Sequence, residues 1–433
     1  MNVASEEFAT APVPKEHTVG WLRVSLISAM VAFSLPTFVT GAEVFLAIDN
    51  ARAVPAILTG CAILTVIASI CGAIGTRTHL SSYMLARVAF GARGAALVNI
   101  AFAISLLGWF GVNIDLFSGA ILRLLNDAAG VSVYPWVIEL CAGIVMTVTT
   151  IYGFKAINTL SMLLAPVMMV VTVVLISKAL GIRPVDEMLA ARQVAEISFG
   201  RAVSSVVGGV IIGAVILPDI TRFIDHWRGA VCTALLSYLV VQTIVMCAGG
   251  MAADVLSNND LLDVLILMGL SWAAFVIIIA GSWVLNSLNL YSTTLSVEAT
   301  FPKAENRLLI VALGALGTVA AFVNILDHFL TFLFCLAVVF VPVTGVIAVD
   351  YCLARRSAYH ANLIPAERAV SPMALMSWAA GSVAALLGAQ EVIALSGIAA
   401  LDAMFVSAIS YAILSRFDSA PDGATDTKEA PTC

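Results

Sequence analysis

Charge is the scarcest commodity in this sequence. Only 11% of its 433 side chains are charged, against roughly a quarter in soluble domains, and that shortage argues against water as the main solvent. No basic cluster is present, so nucleic acid is not an expected partner. The five histidines form no ligand cluster, and the eight cysteines follow no metal-like spacing. Most of those cysteines fall within apolar segments, where a small buried thiol is ordinary, so no transition metal is expected. The N-terminal stretch "MNVASEEFATAPVPKEH" lacks the charged-then-apolar pattern of a cleavable signal and reads as a retained tail. Interfacial clusters of acids or histidines, as a membrane-embedded enzyme would carry, are missing too. The expectation is a non-enzyme with no catalytic residues and no evident obligate protein partner.

What the chain has in abundance is apolar length. Hydrophobic residues make up 61% of it and the mean hydropathy is +1.03. A spanning helix needs about 20 mostly apolar residues, and twelve such segments can be marked out. They run roughly 22–48, 53–75, 94–123, 134–153, 157–181, 198–222, 229–254, 266–296, 306–325, 327–352, 371–391 and 393–415. They are too long and too unalternating for barrel strands, so the expected fold is an all-α polytopic membrane protein with the bilayer as partner.

With both termini on one side, fifteen of the 21 Lys and Arg residues fall on that side and six on the other. By the positive-inside rule both termini are expected in the cytoplasm, with the protein in a cell (inner) membrane. Residues 1–21 and 416–433 then form polar tails around a single transmembrane domain, 22–415.

Two spans weaken their own backbones. The sixth contains "VVGGVIIGAVILPDITRF", with Gly208, Gly209, Gly213 and Pro218, and the first contains "AFSLPTFVTGAEVF", with Pro36 and Gly41. Small residues also let membrane helices pack closely, which is the competing reading of either segment alone. Broken helices at matching positions of two five-helix halves, however, mark the midplane site of an inverted-repeat transporter. The halves would be 22–181 and 198–352, with 371–415 as an added pair. Gly209, Val210, Ile212 and Gly213, together with Thr37 beside the first break, are candidates to border a substrate.

Polar stripes point the same way. In the third span Ser105, Trp109 and Asn113 follow at spacings of four, on one helical face. An indole with an amide one turn away suits a flat heteroaromatic ring. In the eighth, Ser282, Asn286, Asn289 and Thr293 form a second stripe, serving either a ligand or interhelical hydrogen bonds. Ionisable residues inside spans are functional candidates by default. Glu43 and Asp115 are therefore candidates for a coupling proton, while Asp219 with Arg222, and Asp350 with Arg355, suggest ion pairs or a gate at helix ends.

The loop "GTRTHLSSYMLARVAFGARG" carries Gly75, Arg77, Ser81, Ser82, Ala86, Arg87, Phe90 and Gly91 in an order that resembles the signature of the nucleobase:cation symporter family. The likeness continues in "GWFGV", "PDITRF", "NSLNLY" and "LTFLFCLAVVFVPVTGVIAVDYCLARR", and length and short tails look most like the cytosine-permease branch. The resemblance implies a twelve-helix, five-plus-five fold and cation-coupled uptake of a nucleobase or related heterocycle, such as a hydantoin or thiamine precursor. It matches Trp109 to the family's stacking aromatic, Asn286 or Asn289 to its helix-8 amide, and Asn113 to a glutamine of hydantoin transporters. The chain departs from cytosine permeases at Leu106, where they have glutamine, and at Val210 and Ile212, where they have Phe and Ser. Val284 and Leu285 stand where the family's sodium site has hydroxyls, which leaves Ser34 and Pro36 as the candidate ligands there. Sodium, a proton or no coupling ion all stay open, and no other cofactor is expected. An amine or amino-acid transporter of the same fold, or a non-transporting receptor, is the alternative.

Overall fold

Helix is the only regular element among the described residues, as required of a backbone that must satisfy its own hydrogen bonds in hydrocarbon. The structure, a computed structural model, describes residues 12–188, 197–258, 261–301, 303–322, 329–359, 369–390 and 395–417. Residues 1–11 and 418–433, most of both expected tails, lie outside the described residues.

The chain opens on a bent pair, Trp21–Ala32 (α1) and Leu35–Ala47 (α2), set at 54° to each other. Asn50–Thr78 (α3), the short Ser82–Phe90 (α4), Ala92–Ala129 (α5), Pro135–Ile151 (α6) and Gly153–Ile182 (α7) follow. Next come Phe199–Val215 (α8) and the single turn Pro218–Thr221 (α9). Trp227–Leu256 (α10) precedes Ser282–Thr300 (α11), Asn306–Ala321 (α12), Phe329–Val349 (α13), Pro372–Ala389 (α14) and Ala399–Leu414 (α15). Seven helices among the described residues are long and apolar enough to cross a membrane, or eight with the bent pair as one span. Their outward faces stay apolar: Ile104, Leu163 and Leu316 are each more than half exposed. Two stretches wind as π-helix, Leu235–Val241 within α10 and Ile277–Gly281 leading into α11.

The first span breaks at Phe33 and Ser34, about two turns before Gly41. Ser34 leaves helical geometry with φ −83° and ψ 153°, and α2 restarts behind it with Pro36 in its first turn, where a missing N–H costs no helix bond. The sixth span corrects the expectation from sequence. α8 runs unbroken through Gly208, Gly209 and Gly213, and the interruption comes only at Ile216 and Leu217, ahead of Pro218. Gly208 lies against the Leu333 carbonyl of α13, so it serves packing rather than unwinding.

Gly41 does the same on α2. A side chain there would run into the Met246 carbonyl of α10, and one at Gly249 of α10 would run into the Phe38 carbonyl of α2. The two helices therefore touch backbone to backbone. Gly41→Val or Gly249→Val should destabilise the protein by about 1–3 kcal/mol through overpacking, read as a lower thermal unfolding midpoint in detergent. Gly181→Ala, with open space around its Cα, should leave that midpoint at or above the starting value.

Candidate functional site

Both breaks border one cavity. It encloses about 760 Å³ of empty space, counted out through its mouth into open solvent. α1 lends Ser28 and Val31, the break lends Ser34, and α2 lends Pro36 and Thr37. α5 faces it with Leu106 and Trp109, one turn apart. α8 presents Gly209, Val210, Ile212 and Gly213, and the second break adds Ile216, Leu217 and then Asp219 of α9. α11 supplies Leu285, Leu288, Asn289 and Ser292, a single helical face at spacings of three and four. Tyr238 enters from the π-helical stretch of α10, a kind of winding that often marks functional sites.

Trp109 is buried to 6% exposure and forms an indole wall. Its ring is braced edge-on by Phe332 of α13, with centroids 5.4 Å apart and planes at 67°. Thr37 and Ser34 hydroxyls lie 3.3 Å apart across the first break, and Gln242 of α10 donates its Nε2 to Thr37 Oγ1 at 3.5 Å. Asn289 lines the cavity and donates Nδ2 to Asn286 Oδ1 at 3.4 Å. Asn286 in turn donates Nδ2 to the Phe110 carbonyl at 3.0 Å and to Met146 Sδ at 3.3 Å. The two amides are thus placed differently. Asn286 ties α11 to α5 and steadies Asn289, which faces the empty space.

Asn113, expected beside Trp109, does not line the cavity. It is fully buried and returns Nδ2 to the Trp109 carbonyl at 2.7 Å. Glu43 and Asp115, the sequence's candidates for a coupling proton, lie off the cavity as well. Asp115 sits instead within electrostatic range of Glu139 on α6. Val284 is buried without touching the cavity, whereas Leu285 lines it. Neither side chain offers an oxygen to a cation.

The sequence concealed Ser28, Tyr238, Ser292 and Phe332. Ser292 had a signal, since it stands three residues after Asn289. Asp219 seemed to belong to a helix end, but its carboxylate accepts from the Ser82 N–H of α4 at 2.9 Å and from Ser292 Oγ at 3.2 Å. The far end of α4 is held by Arg355, whose Nη2 donates to the Val88 and Ala89 carbonyls, each at 3.1 Å. Arg355 is paired with Asp350 at 2.9 Å, and Asp350 also accepts from the Tyr359 and Tyr411 hydroxyls at 2.6 Å each. Burial and the Asp350 carboxylate push the Tyr359 hydroxyl well above the usual phenol range.

Comparison with known proteins gives a family and a fold. A family model described as permease for cytosine/purines, uracil, thiamine and allantoin matches residues 12–414. The cytosine permease of Escherichia coli (strain K12) is 28% identical over 409 residues, covering 94% of each chain. Among solved structures, the nucleobase-cation-symport-1 family transporter Mhp1, closed with bromovinylhydantoin bound, matches with a TM-score of 0.82. That match is 18% identical and covers 96% of this chain and 95% of Mhp1. A Na+-coupled sialic acid symporter matches at 0.69, with 12% identity over 96% of this chain and 93% of its own. These distant likenesses show a shared fold.

The division between the two amides has a measurable consequence. Asn286→Ala strips partners from the buried Phe110 carbonyl and from Asn289, and should cost about 1–3 kcal/mol of stability. Asn289→Ala, at the cavity wall, should cost less. Thermal unfolding of the two variants side by side checks the order.

Proposed function

Because the chain belongs to the family of permeases for cytosine/purines, uracil, thiamine and allantoin, we propose that it imports a nucleobase or related small heterocycle by cation-coupled alternating access. It is a multi-pass membrane protein, and the proposal sets twelve spans in a cell (inner) membrane with both termini in the cytoplasm. Residues 22–181 and 198–352 are then the two inverted halves, and α14 and α15 lie outside the repeat.

One observation carries the reading: an indole wall and an amide face the same cavity where two spans interrupt their helices. Trp109 offers a π-face to a flat ring, and Asn289 offers a donor and an acceptor to its edge. Thr37 and Ser34 add hydroxyls at the first break. Gly209 and Gly213 lie on the α8 wall, and Val210 and Ile212 add apolar surface to it. A carrier must bind firmly enough to select and loosely enough to release, and a mostly apolar cavity with few hydrogen-bonding groups meets both demands.

A thermal-shift screen of cytosine, uracil, adenine, thiamine, allantoin and hydantoin tests the substrate class, since a specific ligand stabilises the state it binds. At least one should raise the unfolding midpoint and enter proteoliposomes saturably. Trp109→Ala should weaken that compound's binding by roughly 5- to 150-fold, the equivalent of about 1–3 kcal/mol for a base stacked on an aromatic ring. Unchanged uptake kinetics in that variant would remove Trp109 from the pocket.

A further inference from the structure

Asp219 is the one carboxylate among the described residues that line the cavity, and it is held unlike buried Asp254 and Asp350. Arg183 lies 2.8 Å from Asp254, and Arg355 lies 2.9 Å from Asp350. The Asp219 oxygens accept hydrogen bonds from neutral donors, the Ser82 N–H and Ser292 Oγ. The Arg222 guanidinium acts on it through space. Its Nε nevertheless donates to the Asp219 main-chain carbonyl at 3.1 Å, and its Nη2 to the Tyr291 hydroxyl at 3.2 Å.

Three parts of the fold meet at this group: α9 carries it, α4 begins on it, and α11 reaches it through Ser292. The other titratable and charged groups around it are few. α4 brings Tyr83, α11 brings Tyr291 and α10 brings Tyr238. α3 contributes Cys71 beside Tyr238, and after α3 comes His79, whose Nδ1 meets the Arg222 carbonyl at 2.8 Å. α1 and α5 face the cavity without titratable side chains.

We propose that Asp219 is the coupling site of the carrier, binding the proton that travels with the substrate and loosening the α4–α9 joint when it does. This rests on the transporter reading and names its ion. An ionised carboxylate suits the N-terminus of a helix, where it meets the positive end of the dipole and an unpaired N–H. A protonated one gives up the charge–dipole attraction and part of its acceptor strength, yet a neutral acid is far easier to keep away from water. Proton binding and the joint are therefore thermodynamically linked. The proton adds to a carboxylate oxygen from water on one face and leaves to water on the other, with no covalent bond to the substrate.

The test uses the full chain in proteoliposomes, offered labelled cytosine, uracil, adenine, thiamine and allantoin in turn. Wild type should accumulate at least one of them against its gradient when the outside is the more acidic side and sodium is absent. Asp219→Asn keeps an acceptor for Ser82 and a polar group for Ser292 but cannot ionise. It should still exchange the same compound in counterflow, while its accumulation falls to the level reached without a pH gradient. In weakly buffered detergent solution, adding that compound to wild type should make the medium more alkaline, a readout that does not depend on how the variant folds. Accumulation indifferent to the pH gradient, gradient-driven accumulation by Asp219→Asn, or no proton uptake by wild type would each overturn the proposal. If wild type exchanges none of the compounds, the transporter reading fails, and this inference fails with it.

Discussion

Peptide groups left unpaired in hydrocarbon cost several kcal/mol each, and that constraint decides where this chain can break a helix. At the first break the main chain stays nearly paired. Ser34 N–H reaches the Val31 carbonyl at 3.4 Å, and Thr37 N–H reaches the Ser34 carbonyl at 3.0 Å. Gly281 brings the π-helical approach to α11 against the Phe33 carbonyl, where a Cβ would lie only 2.6 Å away. The second break is tighter still. Ile216 N–H bonds the Ile212 carbonyl and Asp219 N–H the Ile216 carbonyl, each at 2.9 Å, and Thr221 N–H bonds the Leu217 carbonyl at 3.0 Å. Neither break is a loop in the membrane. Each is a short interruption that keeps its hydrogen bonds, and both border the cavity.

This explains which parts of the site were legible in the sequence. Hydropathy located the helices because nothing else satisfies the backbone, and Trp109 stood out because an indole in mid-span is unusual. The glycines of the sixth span misled for a physical reason: a missing side chain serves a bend and a close approach equally well, and sequence does not record what lies opposite. Gly208 faces the Leu333 carbonyl, so its role is contact. Helical spacing put Ser105, Trp109 and Asn113 on one face correctly. It gave no sign that the cavity ends beside Trp109 and that Asn113 turns its amide back to the main chain one turn below. The stripe on α11 had the same ambiguity: in the structure Asn286 bonds the Phe110 carbonyl of α5, and Asn289 lines the cavity.

Asp219 was the least legible of the lining residues because its surroundings come from distant segments. Ser82 is 137 residues away in the chain and Ser292 is 73. The family-like loop after α3 had suggested a signature without a role. Once folded, that loop becomes α4, a helix of nine residues, too short to cross a membrane and buried along most of its length.

The way α4 is held accounts for its position. A short helix carries partial positive charge at its start and partial negative charge at its end, and each end has peptide groups without helical partners. Here a carboxylate from the second break meets the start and a guanidinium from beyond α13 meets the end. Each clamp has the sign the dipole favours. The Arg355 clamp is further fixed through Asp350 by hydroxyls of Tyr359 and of Tyr411 on α15. α4 is thus a strut between the cavity wall and the α13–α15 end of the molecule. The Arg355 end is held by a half-buried guanidinium paired with the buried Asp350 carboxylate, whereas the Asp219 end relies on neutral donors and through-space attraction.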